Sequence, residues 1–308
     1  MTLDPAYLTY PHRREGMDHS LYPYQPLSER PPVNWPEGAP IALWITLALE
    51  FFPLTPNDGP VRAPGHMVTP WPDLRSFTVR DYGNRVGVFR ILDRLKAYGL
   101  KASVPFSTAL LEHAPGLAEA VLEGGHELIA HGADMNNLHV GDLDRDREAH
   151  WIAAARDRLK AFTGQAPKGW LSPGRFETRH TPSLVAGAGF SYLCDWMNDD
   201  MPYRMTTENG PITVMPHTQE LEDRHTLTAL GQPLTAWSSC VLDATRTYRG
   251  EATKAGGRVL HIGLTPYVIG QPFRIKALET LLEQLIENGG IWNAVGADIE
   301  SCWRSQTD

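Results

Sequence analysis

The chain has 308 residues, 42% of them hydrophobic, and a formal charge of −8, which suits one large domain or a domain with an appended arm. The acidic balance and the lack of Lys/Arg clusters argue against nucleic acid or an anionic membrane as partner and leave a small neutral or anionic solute. Cys194, Cys240 and Cys302 are odd in number and widely spaced, so neither a disulfide framework nor a cysteine zinc site is expected, and a reducing cytoplasm fits best.

Residues 1–40 carry eight prolines among Tyr7, Tyr10, Tyr22, Tyr24 and Trp35, a composition that makes neither regular helix nor central strand. It reads as an extended arm, without the apolar core of a signal peptide, whose aromatic surface can lie on a neighbouring surface such as another subunit. Residues 41–308 then read as a single domain. Ile41 to Leu49 is a nearly continuous apolar strand with Glu50 at its end. The Pro/Gly-rich loop from Pro53 to Phe77 is long enough to be functional or a contact surface.

Apolar positions between Asp81 and Tyr98 fall at helical spacing and stop at Gly99. Strand Ala102–Phe106, helix Gly116–Glu123, strand Glu127–Ala130, helix Asp142–Phe162 and strand Gly169–Leu171 continue the alternation. After a short helix over Pro182–Ala186 come strand Tyr192–Asp195 and strand Ile212–Met215. Helix Pro233–Tyr248, strand Val259–Leu264, helix Arg274–Glu287, strand Ile291–Ala294 and a terminal helix complete the chain. Eight strands interleaved with helices imply right-handed crossovers and an α/β fold, a parallel sheet closing into a barrel rather than an open doubly wound sheet. No G-x-G-x-x-G or Walker sequence opens a helix, which lowers a nucleotide-binding reading.

In a parallel barrel the chemistry collects where strands end. That rim carries Glu50, Ser172 with Arg175, His131, Asp195 with Trp196, His217 with Glu220, and Thr265. Carboxylates, imidazoles and a guanidinium together suit water activation and protonation of a leaving group. Each has a structural alternative: Glu50 a rim salt bridge to Arg175 or Arg80, Asp195 a turn cap, His131 a loop residue bonded to backbone.

The succession of Glu50, Asp81-Tyr-Gly-Asn-Arg-Val-Gly87, His131-Gly132, Gly169-Trp-Leu-Ser-Pro173, Tyr192-Leu-Cys-Asp195-Trp196 and Pro266-Tyr-Val-Ile-Gly-Gln-Pro-Phe-Arg274 resembles the polysaccharide deacetylase-like (NodB-homology) superfamily. Within it, the branch of metal-independent allantoinases and cyclic-imide hydrolases is the most similar. The resemblance implies a distorted (β/α) barrel of seven or eight mainly parallel strands, and hydrolysis of a carbon–nitrogen bond. Deacetylases of the superfamily hold a divalent metal with an aspartate and two histidines spaced H-x-x-x-H; here Glu50 and His131 stand at the first two places and Met135 at the third. A thioether is a poor third ligand beside oxygen and nitrogen donors. Thr265 stands where the family commonly has histidine, and His217 where a tyrosine is expected.

The resulting expectation is a cytoplasmic amidohydrolase of a small cyclic amide, imide or ureide, with no cofactor and no bound metal. Glu50 or Asp195 is the general base, His131 polarises the carbonyl or protonates the nitrogen, and Arg175 holds an anionic substituent. Trp196 and Phe52 sandwich the ring, with Ser172, His217, Glu220 and Thr265 as further binding residues. The alternatives are a zinc-type N-deacetylase using Glu50 and His131, and a degenerate barrel that binds a metabolite or partner without turnover. The aromatic arm and the resemblance also imply a homo-oligomer.

Overall fold

A computed structural model describes residues 19–57, 59, 61–66 and 72–307. Among the described residues nine strands form one sheet: β1 (Ile41–Leu47), β2 (Ser103–Phe106), β3 (Glu127–Ala130), β4 (Gly169–Trp170), β5 (Tyr192–Leu193), β6 (Tyr203–Met205), β7 (Ile212–Val214), β8 (Arg258–Leu264) and β9 (Ile291–Asn293). An eight-strand path runs β6-β7-β5-β4-β3-β2-β1-β8, and β9 pairs with the first residues of β1. All ladders are parallel except β6 with β7. The sheet curls into a half-barrel covered by helices, and among the described residues no ladder joins its two end strands.

Period-two geometry sorts the strand residues. In β1, Ile41, Leu43, Ile45 and Leu47 face the helices, within the large core that includes Val88, Ile91, Leu95 and Leu278. Ala42 and Trp44 face the barrel interior with Ile129, Leu171, Tyr192, Cys194 and Met215. Because both of its faces are covered, β1 reads as a nearly unbroken apolar run. The same alternation continued past the strand end sends Glu50 inward with Thr46 and Ala48, His131 inward with Ile129, and His217 inward with Thr213 and Met215.

The helix expected from Asp81 begins earlier, at Leu74, where Asp73 caps it by accepting from the Ser76 amide at 3.1 Å. Leu74–Tyr82 buries none of its residues, so no apolar periodicity announces it. A wide turn over Gly83–Gly87 leads into Val88–Ala97. There the backbone meets the segment after β8: a Cβ on Gly87 would stand 2.2 Å from the Pro266 carbonyl oxygen, so only glycine allows this approach. Two of the motifs that carry the family resemblance thus pack against each other.

The expected helix Asp142–Phe162 is Arg145–Thr163, capped by Asp144. The helix expected over Pro233–Tyr248 runs from Leu234 to Ala255. Strand β6 is an addition to the sequence-based expectation. Of the loop Pro53–Phe77, residues 58, 60 and 67–71 lie outside the described residues, as do Tyr7 and Tyr10 of the arm. Residues 19–40 rest on their own barrel: Trp35 is 2% exposed and donates to the Arg258 carbonyl at 3.0 Å, and Tyr22 meets Tyr203 edge-on at 4.9 Å. No helix among the described residues is long and apolar enough to cross a membrane.

Candidate active site

A cavity of about 400 Å³ opens at the carboxyl ends of the strands, lined among others by Thr46, Glu50, Gly65, His131, Arg175, Asp195, His217, Glu222 and Arg224. Its size suits a small molecule. A second groove of about 400 Å³ lies between the arm and residues 198–204. That groove carries no histidine among its lining residues, and its carboxylate Asp199 is paired with Arg30, so the barrel mouth is the candidate site.

Glu50 is 5% exposed. Burial alone would raise its pKa, but the charge and hydrogen bond of Arg224, Nη1 to Oε2 at 2.6 Å, prevail with a smaller part from His131 and hold it at about 2. Arg224 in turn is pinned in its charged form: against burial, Glu50, Tyr267 and Glu222 push its pKa well up. On the other side of Glu50, its Oε1 lies 3.8 Å from Nε2 of His131. Nδ1 of His131 donates to the Leu171 carbonyl at 2.7 Å, which assigns the ring proton of the neutral form to Nδ1. Nε2 is buried and has no hydrogen-bond partner among the described residues.

Asp195 faces the same cavity, with Oδ1 accepting from the Ser172 amide at 2.7 Å and Oδ2 from its hydroxyl at 2.8 Å. Burial lifts its pKa to about 6 although both Ser172 bonds favour the ionised form. Burial and then the Asp195 charge push neighbouring Glu177 well above the usual carboxyl range, so of these two carboxyls Glu177 keeps its proton and Asp195 is the one that ionises near neutrality.

A polarised chain runs along the opposite wall. Arg175 donates from Nη2 to Nδ1 of His217 at 2.7 Å and to Glu222 at 3.0 Å. His217 can then donate only from Nε2, to Thr46 Oγ1 at 3.3 Å; the hydroxyl passes its own proton to Nε2 of His261 at 2.9 Å, whose Nδ1 donates to the Thr218 carbonyl at 3.1 Å. Both rings are held neutral. Burial, then His261 and Arg175, push His217 well down, and burial followed by Arg175 takes His261 to about 3. Arg175 itself sits at φ 61° after Gly174 at φ 65°, a left-handed turn that aims its side chain back into the mouth.

Glu50, His131, Asp195, Arg175 and His217 therefore meet in one cavity. Other expected binding residues do not line it. Phe52 packs with Ala63, Met135 and Leu138 beneath the Arg80 guanidinium, 5.3 Å above its ring. Trp196 turns to Tyr22, ring centroids 5.9 Å apart. The structure does not bring these two rings together at the cavity: past each strand end the chain bends, and each ring packs on other side chains. Ser172 supports Asp195 from behind. Glu220 is exposed, and Thr265 starts the short helix Pro266–Ile269, its amide donating to Asp223 at 3.0 Å.

Arg224, Glu222, Thr46 and His261 escaped the sequence reading. Thr46 and His261 were signalled as polar residues at inward positions of otherwise apolar strands. Glu222 and Arg224 follow the seventh strand by several residues, where strand-end reasoning stops.

The divalent metal implied by the resemblance does not fit these residues. Met135 is fully buried inside the apolar cluster of Phe52, Ala63 and Leu138, Glu50 is already bound by a guanidinium, and no group of three or more His, Cys, Asp or Glu among the described residues could hold an ion. A zinc site needs three protein ligands.

Residues 77–193 match the family model described as polysaccharide deacetylase. The chain carries a polysaccharide deacetylase domain. A putative polysaccharide deacetylase of Schizosaccharomyces pombe is 24% identical over 73% of this chain and 75% of its own. The crystal structure of Puue allantoinase superposes with a TM-score of 0.80 at 26% identity, covering 92% of this chain and 98% of that one. A probable polysaccharide deacetylase from Pseudomonas aeruginosa PAO1 gives the same TM-score and identity, covering 92% and 99%. The half-barrel is thus of the NodB type, and the domain is that of a deacetylase-family hydrolase.

Proposed function

We propose that this chain hydrolyses a carbon–nitrogen bond of a small cyclic amide, imide or ureide, with protein side chains alone performing the acid–base steps. The observation that carries the reading is the bare Nε2 of His131, buried in the cavity 3.8 Å from an ionised Glu50. A buried nitrogen without a partner calls for an explanation, and a substrate atom or a water in the cavity supplies one. Likeness to Puue allantoinase over nearly its whole length supports this reading, and the equal likeness to a probable polysaccharide deacetylase supports the second reading below.

The surroundings of the two carboxyls support a division of roles. Glu50, held at about 2, is too weak a base for water, whereas Asp195 at about 6 is ionised and still basic near neutral pH. Asp195 takes the proton of the attacking water. Nε2 of His131, beside Glu50, is the position from which the departing nitrogen takes its proton. The two buried hydrogen bonds from Ser172 keep the base oriented.

The test is a screen of purified protein against hydantoins, dihydropyrimidines, succinimide, allantoin and N-acetyl sugars. Ring opening of a cyclic amide supports the reading; release of acetate from a sugar, with no ring opened, sinks it. Metal-dependent N-deacetylation is the second reading, favoured by the family match over residues 77–193, and stoichiometric zinc coupled to turnover would establish it.

A further inference from the structure

Glu50 poses an electrostatic problem independent of any substrate. A carboxylate 4% exposed in its side chain cannot stay ionised without a cation at hand, and the loop that follows His131 supplies none. The Met135 amide donates to the Phe51 carbonyl at 2.9 Å, so Met135 lies against the strand end that carries Glu50, yet its side chain serves an apolar cluster. The positive charge comes from far along the chain. Arg224 reaches Glu50 at 2.6 Å with its own side chain 13% exposed, and it lines the cavity together with His131 and Asp195.

We propose that the guanidinium of Arg224 is the fixed cation of this pocket, neutralising Glu50 and receiving the negative charge that forms on the carbonyl oxygen when water adds to a bound amide. The proposal rests on the hydrolytic reading above. As the water oxygen bonds to the carbonyl carbon, the C=O π pair moves onto oxygen beside Arg224, and the proton lost by water goes to Asp195. On collapse that pair re-forms the carbonyl, the C–N bond pair leaves with nitrogen, and nitrogen takes the proton from His131; the proton on Asp195 then restores His131. A planar, permanently charged fork already oriented by a carboxylate stabilises such an oxyanion without reorganising.

Two experiments test it, with different dependence on substrate. On a cyclic amide that the wild type opens, Arg224→Ala should lower kcat by at least about 10²-fold with a smaller change in KM. Methylguanidinium in solution should restore turnover to Arg224→Ala and not to Asp195→Asn. Arg224→Lys, which keeps charge without the fork, should fall between and serves if the alanine variant does not fold. Turnover by Arg224→Ala within about threefold of wild type overturns the proposal. The second experiment needs no substrate: calorimetric zinc titration of Met135→His and of Met135→His/Arg224→Ala. If Arg224 fills the place of the cation, only the double variant binds zinc; equal binding, or none in either, overturns the assignment. A wild type that opens no cyclic amide refutes the hydrolytic reading, and the zinc titration then decides the place of Arg224 by itself.

Discussion

The rings of His217 and His261 lie 4.2 Å apart between centroids, and both Nε2 atoms address the single hydroxyl of Thr46. Thr46→Val keeps the shape and removes the only group that is acceptor to one ring and donor to the other. We expect a loss of about 1–3 kcal/mol, the cost of leaving buried polar groups unpaired, measured by urea unfolding. A change below about 0.5 kcal/mol, typical of surface sites, would refute the chain of donors.

The same histidines set an acid limit on stability. His261, at about 3 in the folded protein against the ordinary 6.5, stays neutral while the unfolded chain takes up a proton. Its contribution is complete above pH 6.5 and is lost as pH falls toward 3. His261→Gln should flatten the pH dependence of unfolding free energy in that window, and an unchanged slope would contradict the burial of a neutral ring.

Asp195 predicts the pH profile of turnover. With its carboxyl at about 6, kcat should rise with pH through that value. Asp195→Asn should lower kcat by about 10²–10⁴ and abolish the limb. Ser172→Ala removes the hydroxyl bond that favours the carboxylate and keeps the amide bond, so it should move the limb to higher pH; movement to lower pH would exclude Asp195 as its origin.

Met135 tests packing against ligation. Its side chain is fully buried among Phe52, Ala63 and Leu138, and Met135→Ala should cost about 2–5 kcal/mol of stability through the cavity it leaves. Thermal unfolding with and without chelator reads this directly: the loss should be the same in both.

The pocket's charge predicts substrate preference. Arg175 is paired with Glu222 and Arg224 with Glu50, and the oxyanion is assigned to what remains of Arg224, so neither guanidinium is left to hold a carboxylate substituent in the ground state. Uncharged rings should be opened with higher kcat/KM than their carboxylate-bearing analogues, contrary to the anion-holding role expected for Arg175 from sequence. The reverse order would show that one of the pairs opens on binding.

The strands were readable because both faces of the sheet are covered, leaving unbroken apolar runs such as Ile41–Leu47. Tyr203–Met205 was not: a three-residue, half-buried end strand has too few positions to show any period. Leu74–Tyr82 was missed for the opposite reason, having no buried face at all. Glu50, His131 and His217 could be located by extending the alternation of β1, β3 and β7. Phe52 and Trp196 could not, since the bend after a strand end erases that alternation. Arg224 follows β7 by ten residues and meets Glu50 across 174 positions of sequence, a pairing that no local pattern encodes.

The arm spans the seam that the sheet leaves open. Leu21 accepts from the Thr206 amide just beyond β6 at 2.7 Å, and Val33 accepts from the Gly257 amide just before β8 at 2.7 Å. The segment translated early therefore has its partners among the segments translated late. During synthesis Trp35 has nothing to cover until β8 has emerged, and the wall is sealed by one of the longest-range contacts in the chain. Such closure belongs to the last, slowest step of assembly, so shortening the arm should leave individual strand pairs intact while delaying or preventing the finished vessel.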